Sequence, residues 1–249
     1  MMTAKTALQI FSVYASAVFG ITNGAMAATI RPAVFVGGDF RNMPTSVCAL
    51  KAVEAMGVQQ NFIYAQVQGT GAWGYDEQSV VIVHAFTVPG GLQIFVVAIS
   101  STNREAERLR NVIRQHVFDG PYNPLQSSVY RTTDPTRRQS PLAVHWGGTQ
   151  TAYAQNKFRR CATDTMLLNN LQEFDDGNRV VFGTGQNVVV TAIGVQASRG
   201  TTALVIAASP MSFVAEHYRN SVRANIGCVA FDTSRHAKRV ANSFGLASH

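Results

Sequence analysis

Between Gly71 and Gln78 the chain sets two aromatic rings, Trp73 and Tyr75, beside two carboxylates, Asp76 and Glu77. Flat rings next to acids in a glycine-flanked segment suit stacking on a sugar ring or filling a partner's pocket. Loops on a rigid scaffold are where such residues usually sit. Trp73, Tyr75 and Asp76 are therefore candidate binding residues of a surface loop. The competing assignment is a hairpin whose Trp73 folds back onto the core.

A second candidate set is cationic. Arg110 and Arg114 recur as Arg219 and Arg223 at an offset of 109 residues, and Glu107 and Glu216 precede the two pairs. Two matched guanidinium pairs have the charge to hold an anion. The plainer account is a solvated helix face laced by Glu–Arg pairs, each worth about 0.2–0.5 kcal/mol.

No catalytic constellation stands beside these residues. The chain has no Gly-x-Ser-x-Gly, His-Glu-x-x-His, phosphate-loop or Cys-x-x-Cys pattern, so no catalytic residue is assigned. His84, His116, His145, His217, His236 and His249 are scattered, and neither a metal nor a cofactor is expected. Gly69-Thr70-Gly71 and Gly183-Thr184-Gly185 resemble phosphate cradles in composition only. No helix follows either, and a strand-end turn is the expectation.

The cysteines are Cys48, Cys161 and Cys228. An exported chain meets an oxidising compartment, where one bridge and one leftover thiol is the simple count. Cys161 and Cys228 flank the helices of one repeat, which makes them the candidate disulfide and leaves Cys48 as a buried thiol.

The elements that position these residues form a repeat. Residues 93–100 and 202–209 are apolar runs ending in serine, and each leads into a helix. The buried stripe of the first helix, Ala106, Leu109, Ile113 and Val117, returns as Ala215, Tyr218, Val222 and Ile226. That spacing puts each set on one helical face. Upstream, the two Gly-Thr-Gly turns align at an offset of 114, and Cys48 aligns with Cys161 at 113. An insertion of about five residues in 72–78 reconciles the offsets, the same segment that carries the aromatic pair. Each copy reads as helix, three strands, helix: 44–56, 61–68, 79–88, 93–100 and a last helix capped by Thr102 or Asn103, then 157–174, 179–182, 187–196, 201–209 and a last helix capped by Ser212.

The expected fold class is α+β, with tandem duplicated αβββα units. Each is an antiparallel three-stranded meander with helices packed on one face, and a pseudo-twofold relates the two. The expected domains are a signal peptide at 1–27, a first unit at 28–120, a linker at 121–156 rich in Pro, Ser, Thr, Gln and Arg, a second unit at 157–230 and a basic tail at 231–249.

The signal peptide rests on three zones: Lys5, an uncharged apolar run over 6–21, and Ala25-Met26-Ala27 as a peptidase site. The expected location is periplasmic or secreted, and no later stretch of the mature chain is long and apolar enough to span a bilayer. Hydrophobic residues make up 46% of the chain and charged residues 14%, a balance that excludes a disordered protein. The net charge of +7 allows anionic partners, and export makes nucleic acid an unexpected one. The function expected is an exported, non-enzymatic binding protein that engages an unidentified protein or an anionic glycan or lipid of the envelope. The alternatives are a hydrolase-type enzyme with its site between the units, and a protein inhibitor or immunity factor.

Overall fold

The computed structural model describes residues 32–122, 128–137, 140–175, 179–197 and 200–227. Runs such as Val80-Val81-Ile82-Val83 become strands because β-branched side chains lose little freedom on a pleated surface and pack well across it. The first copy runs β1 (Ala33–Arg41), α1 (Thr45–Glu54) with a π-helical turn over Ala55–Gln59, β2 (Tyr64–Gln68), β3 (Gly71–Tyr75), β4 (Ser79–Val88), β5 (Gly91–Ser100) and α2 (Asn103–Asp119). A short strand, β6 (Val129–Arg131), follows. The second copy runs β7 (Ala143–Thr151), α3 (Gln155–Leu168), β8 (Gln172–Asp175), β9 (Val180–Gly185), β10 (Val188–Ala197), β11 (Gly200–Ser209) and α4 (Ser212–Asn225).

The protein is α+β and built from two copies of one α/β unit. Its strands form two separate antiparallel sheets, ordered β1-β5-β4-β3-β2-β6 and β7-β11-β10-β9-β8. The meanders β3-β4-β5 and β9-β10-β11 are their centres. Each sheet carries one apolar face against its own helices. In the first, Val81, Val83, Ile94 and Val96 pack on Leu109, Ile113 and Val117 of α2 and on Cys48 and Ala52 of α1. In the second, Val190, Val205 and Ala207 pack on Phe158 and Met166 of α3 and Val222 of α4. The opposite faces of the two sheets meet in a third layer, where Ile82, Val97 and Ile99 of one copy join Val189, Ile193 and Ile206 of the other. The order of layers is helix, sheet, sheet, helix. Strands apolar on both faces, unusual for an antiparallel sheet with a wet side, are explained by that double burial.

Several boundaries differ from the sequence expectation. β1 and β7 precede the first helix of each copy and pair with β5 and β11, Ala33 opposite Ser100 and Ala143 opposite Ser209. Each carries a central Gly-Gly (Gly37-Gly38, Gly147-Gly148), a composition that reads against a strand. The segment 121–156, read as a linker, holds β6, all of β7 and the start of α3. Residues 172–174, read as the end of a helix, belong to β8.

The expected insertion within 72–78 is not there. Trp73 pairs with Ile82, and Phe182 pairs with Thr191; both members shift by the same 109 residues. The two Gly-Thr-Gly triplets are consequently not equivalent. Gly69 and Thr70 form the β2–β3 turn, with Gly69 in the left-handed region at φ 58°, whereas Gly185 closes β9 opposite Val188. Nor are Cys48 and Cys161 equivalent, since α1 opens at Thr45 and α3 at Gln155, which sets Phe158 in the place of Cys48. Thr102 caps α2, its hydroxyl accepting from the Glu105 amide at 3.3 Å. Ser212, expected as a cap, is instead the first residue of α4, within hydrogen-bond distance of His145.

Candidate functional site

Trp73 and Tyr75 do not form an exposed loop. Gly71–Tyr75 is the strand β3, and both rings point into the layer between the sheets, 7% and 8% exposed. Trp73 lies 5.6 Å from Trp146 of the other copy and 5.5 Å from Tyr64. The sequence saw glycines and polar neighbours; the structure makes them room for close strand approach. A Cβ on Gly71 would sit 1.9 Å from the Val83 carbonyl oxygen. Asp76 follows β3, and its carboxylate accepts from the Gln78 and Ser79 amides at 2.8 and 2.7 Å. Burial pushes its pKa up against those two bonds. It holds a turn. The expectation of an aromatic binding loop is therefore corrected: these rings are core.

The arginine pairs are brought together within each copy, and each pair lies over a glycine of the first strand. A Cβ on Gly37 would meet the Arg110 Cδ at 2.7 Å and the Arg114 Cδ at 3.2 Å. In the second copy Gly147 lies under Arg219 and Arg223 in the same way, at 3.6 and 3.5 Å from their Cδ atoms. The missing side chains of β1 and β7 make room for the aliphatic stems. The guanidiniums are largely matched by acids. Arg114 is 3.5 Å from Asp39, Arg110 is 4.0 Å from Glu107 and Arg219 is 3.7 Å from Glu216. Arg41 bridges Asp39 and Asp119 at 2.9 and 3.5 Å. Backbone donation from Phe40 and then the nearby arginines hold the Asp39 carboxyl below its usual range. Arg219 is itself buried, at 4% exposed, so the four arginines are not one solvated face.

A site that sequence reasoning missed lies between α1 and α2. His116 of α2 is buried at 6% exposed. Its Nδ1 is 2.8 Å from the Gln59 amide nitrogen, which fixes Nδ1 as the acceptor and Nε2 as the protonated nitrogen. Nε2 then lies 3.2 Å from the Glu54 carboxylate, too skewed for an aligned hydrogen bond. Glu54 ends α1, and Gln59 ends the π-helical turn that follows it. Such turns recur at functional sites because they re-aim side chains that an α-helix would point elsewhere. Beside this pair is a cleft of about 380 Å³, lined by the amides of Gln59, Gln60 and Gln115, by His116 and Asp119, and by Val112. Gln60 already accepts from Arg108 at 2.7 Å, and its amide nitrogen stays available. The Gln115 side chain makes no hydrogen bond to other described residues. The signal in the sequence was slight: Gln59-Gln60 and Gln115-His116 are adjacent pairs with no shared motif.

No family model matches the chain. No curated relative matches it either. Among solved structures it is similar to the di-domain ARO/CYC StfQ from the steffimycin biosynthetic pathway, at 8% identity and TM-score 0.23 over 82% of this chain and 99% of that one. It is also similar to the di-domain ARO/CYC BexL from the BE-7585A biosynthetic pathway, at 8% identity and TM-score 0.22 over 78% of this chain and 98% of that one. DynU16, a putative protein in the dynemicin biosynthetic locus, aligns at 9% identity and TM-score 0.19 over 78% of this chain and 94% of that one. Alignments this loose say nothing about the cleft or its chemistry.

Among the described residues no three His, Cys, Asp or Glu side chains gather as a metal site, and no described helix is long and apolar enough to cross a membrane. Cys48 is a free, buried thiol on α1, its pKa pushed up to about 12 by burial. Such a thiol is not a nucleophile at neutral pH. Cys161 is buried on α3; its expected partner Cys228 lies outside the described residues, as do the signal segment and the basic tail.

Proposed function

We propose that this chain is an exported, non-enzymatic binding protein, and that its ligand site is the cleft at His116. The charged and apolar zones of residues 1–27 support the export. The observation that carries the site is the gathering of Gln59, Gln60 and Gln115 on the lining of one pocket whose histidine is held by the Gln59 amide. Planar amides offer paired donors and acceptors without charge. That set suits the hydroxyl groups of an envelope glycan, with Val112 as the apolar patch beneath a ring. The one carboxylate or basic chain end among the described lining residues is Asp119, so a neutral or amino-bearing sugar fits better than an anion. His116 Nδ1 is taken by the Gln59 amide and the Cys48 thiol is held protonated, so Asp119 is the open carboxylate of the described lining, with no second carboxylate facing it across the cleft. That favours binding over hydrolysis.

The test is calorimetric titration of the full chain with neutral oligosaccharides and soluble peptidoglycan fragments. Gln115→Ala should weaken binding about tenfold while the melting midpoint stays where it was. Absence of binding to every saccharide rejects the proposal. Binding that weakens steeply with salt and disappears in Arg114→Ala would move the site to the arginines over Gly37.

A further inference from the structure

A second cavity of about 210 Å³ opens between the two copies, where the ends of β4 and β10 leave the sheet-to-sheet layer. Its polar centre is His84. The ring stacks edge-on against Phe86 at 4.7 Å, and it makes no hydrogen bond to any described residue. Its nitrogens are not sealed either: they are absent from the fully buried, unpartnered polar atoms and remain open to the cavity. Burial lowers the imidazole pKa to about 4, which keeps the ring neutral at pH 7. Thr202, half-buried, brings a hydroxyl with no partner among the described residues, the exposed Thr70 stands at the mouth, and Phe86 and Val195 supply apolar wall. Gln196, also on the lining, is already used: its side chain accepts from the Gln155 amide and donates to the Ala197 and Gly200 carbonyls. No charged side chain is among the described lining residues.

We infer that this inter-sheet cavity binds a small, uncharged, single-ring compound bearing a hydroxyl that donates a hydrogen bond to the His84 imidazole. Volume sets the size. A dry cavity of about 150 Å³ holds benzene, so this one accommodates one ring and a small substituent. Lining sets the rest. A charged ligand would lose its hydration with no counter-ion among the described lining residues, and a purely apolar one would leave the imidazole and the Thr202 hydroxyl unpaired. Junctions between packed units are where such concave sites gather. The site is separate from the His116 cleft, which lies on the helix side of the first sheet.

The experiment follows the imidazole nitrogen resonances of the full chain, labelled at histidine, during titration with phenol. Toluene serves as the apolar control of equal size and benzoate as the charged one. Phenol should move the His84 signals saturably. Toluene and benzoate should bind about tenfold more weakly or not at all, and Val195→Trp, which fills the cavity, should abolish the shift. A Thr202→Val protein should bind phenol several-fold more weakly while keeping its fold. The inference is overturned if phenol leaves His84 unmoved, if it moves His116 instead, if toluene or benzoate binds as tightly as phenol, or if His84→Leu binds phenol like the parent. The wild-type comparison of the three probes decides the matter even where a variant fails to fold.

Discussion

Trp73 presents an indole N–H to a dry layer, where it finds no hydrogen-bond acceptor among the described residues. A buried donor left unpaired costs about 1–3 kcal/mol, yet the ring fills space between Tyr64, Tyr75 and Trp146. The two effects separate by substitution. Trp73→Phe keeps most of the ring and removes the orphan donor, so urea denaturation should find it within about 1 kcal/mol of wild type in either direction. Trp73→Ala should lose about 3–5 kcal/mol by leaving a cavity. A surface loop residue would lose little in either case. His84 makes the complementary point with a titrating group. Its pKa falls from 6.5 to about 4 on folding because burial disfavours the cation. Between those values the unfolded chain binds the extra proton, so the contribution is complete above pH 6.5 and is lost as the medium is acidified toward pH 4. At 1.36 kcal/mol per unit the loss is at most about 3.4 kcal/mol. Denaturation midpoints measured across that window should fall more steeply for the wild type than for His84→Phe.

At the level of elements, glycine does the positioning. Gly71 opens β3 with its Cα pressed against the Val83 carbonyl of β4. Gly71→Ala forces those strands apart, and since β3 carries Trp73 and Tyr75, the aromatic cluster moves with it. The expected cost exceeds about 3 kcal/mol, and amide exchange should quicken first in β3 and β2. The glycines over which the arginines lie explain why β1 and β7 escaped recognition. A strand usually advertises itself through β-branched residues. These two have glycine at the position where the stems of Arg110 and Arg219 need room. The start and the buried face of helix α2, by contrast, were legible, because Thr102 caps it and Ala106, Leu109, Ile113 and Val117 mark one face, all four fully buried.

For the whole molecule, the decisive feature is the layer that both copies share. Val97 and Ile193 lie fully buried in it, on opposite sheets. Val97→Asp places a charge where no partner exists, and a buried unpaired charge is among the most costly changes available. Because the damaged surface belongs to both copies, the second copy should unfold in the same transition as the first. Fluorescence of Trp146 and far-ultraviolet dichroism should give one coincident midpoint. Two separated transitions would show that the sheets do not support one another.

What the amino-acid order determined alone is local and periodic. The helical stripes, the β4 and β5 runs, their repetition 109 residues on, and the need for a second cover over strands apolar on both faces all follow from side-chain period and burial. Burial of Trp73, the glycine–arginine packing and the meeting of Glu54, Gln59 and His116 were settled only by tertiary structure. Those arrangements depend on distant segments arriving together, such as Gln59 and His116 from either side of four strands. A contact between residues far apart in the chain leaves no period in the sequence, so the cleft and the inter-sheet cavity became visible only when the layers were stacked.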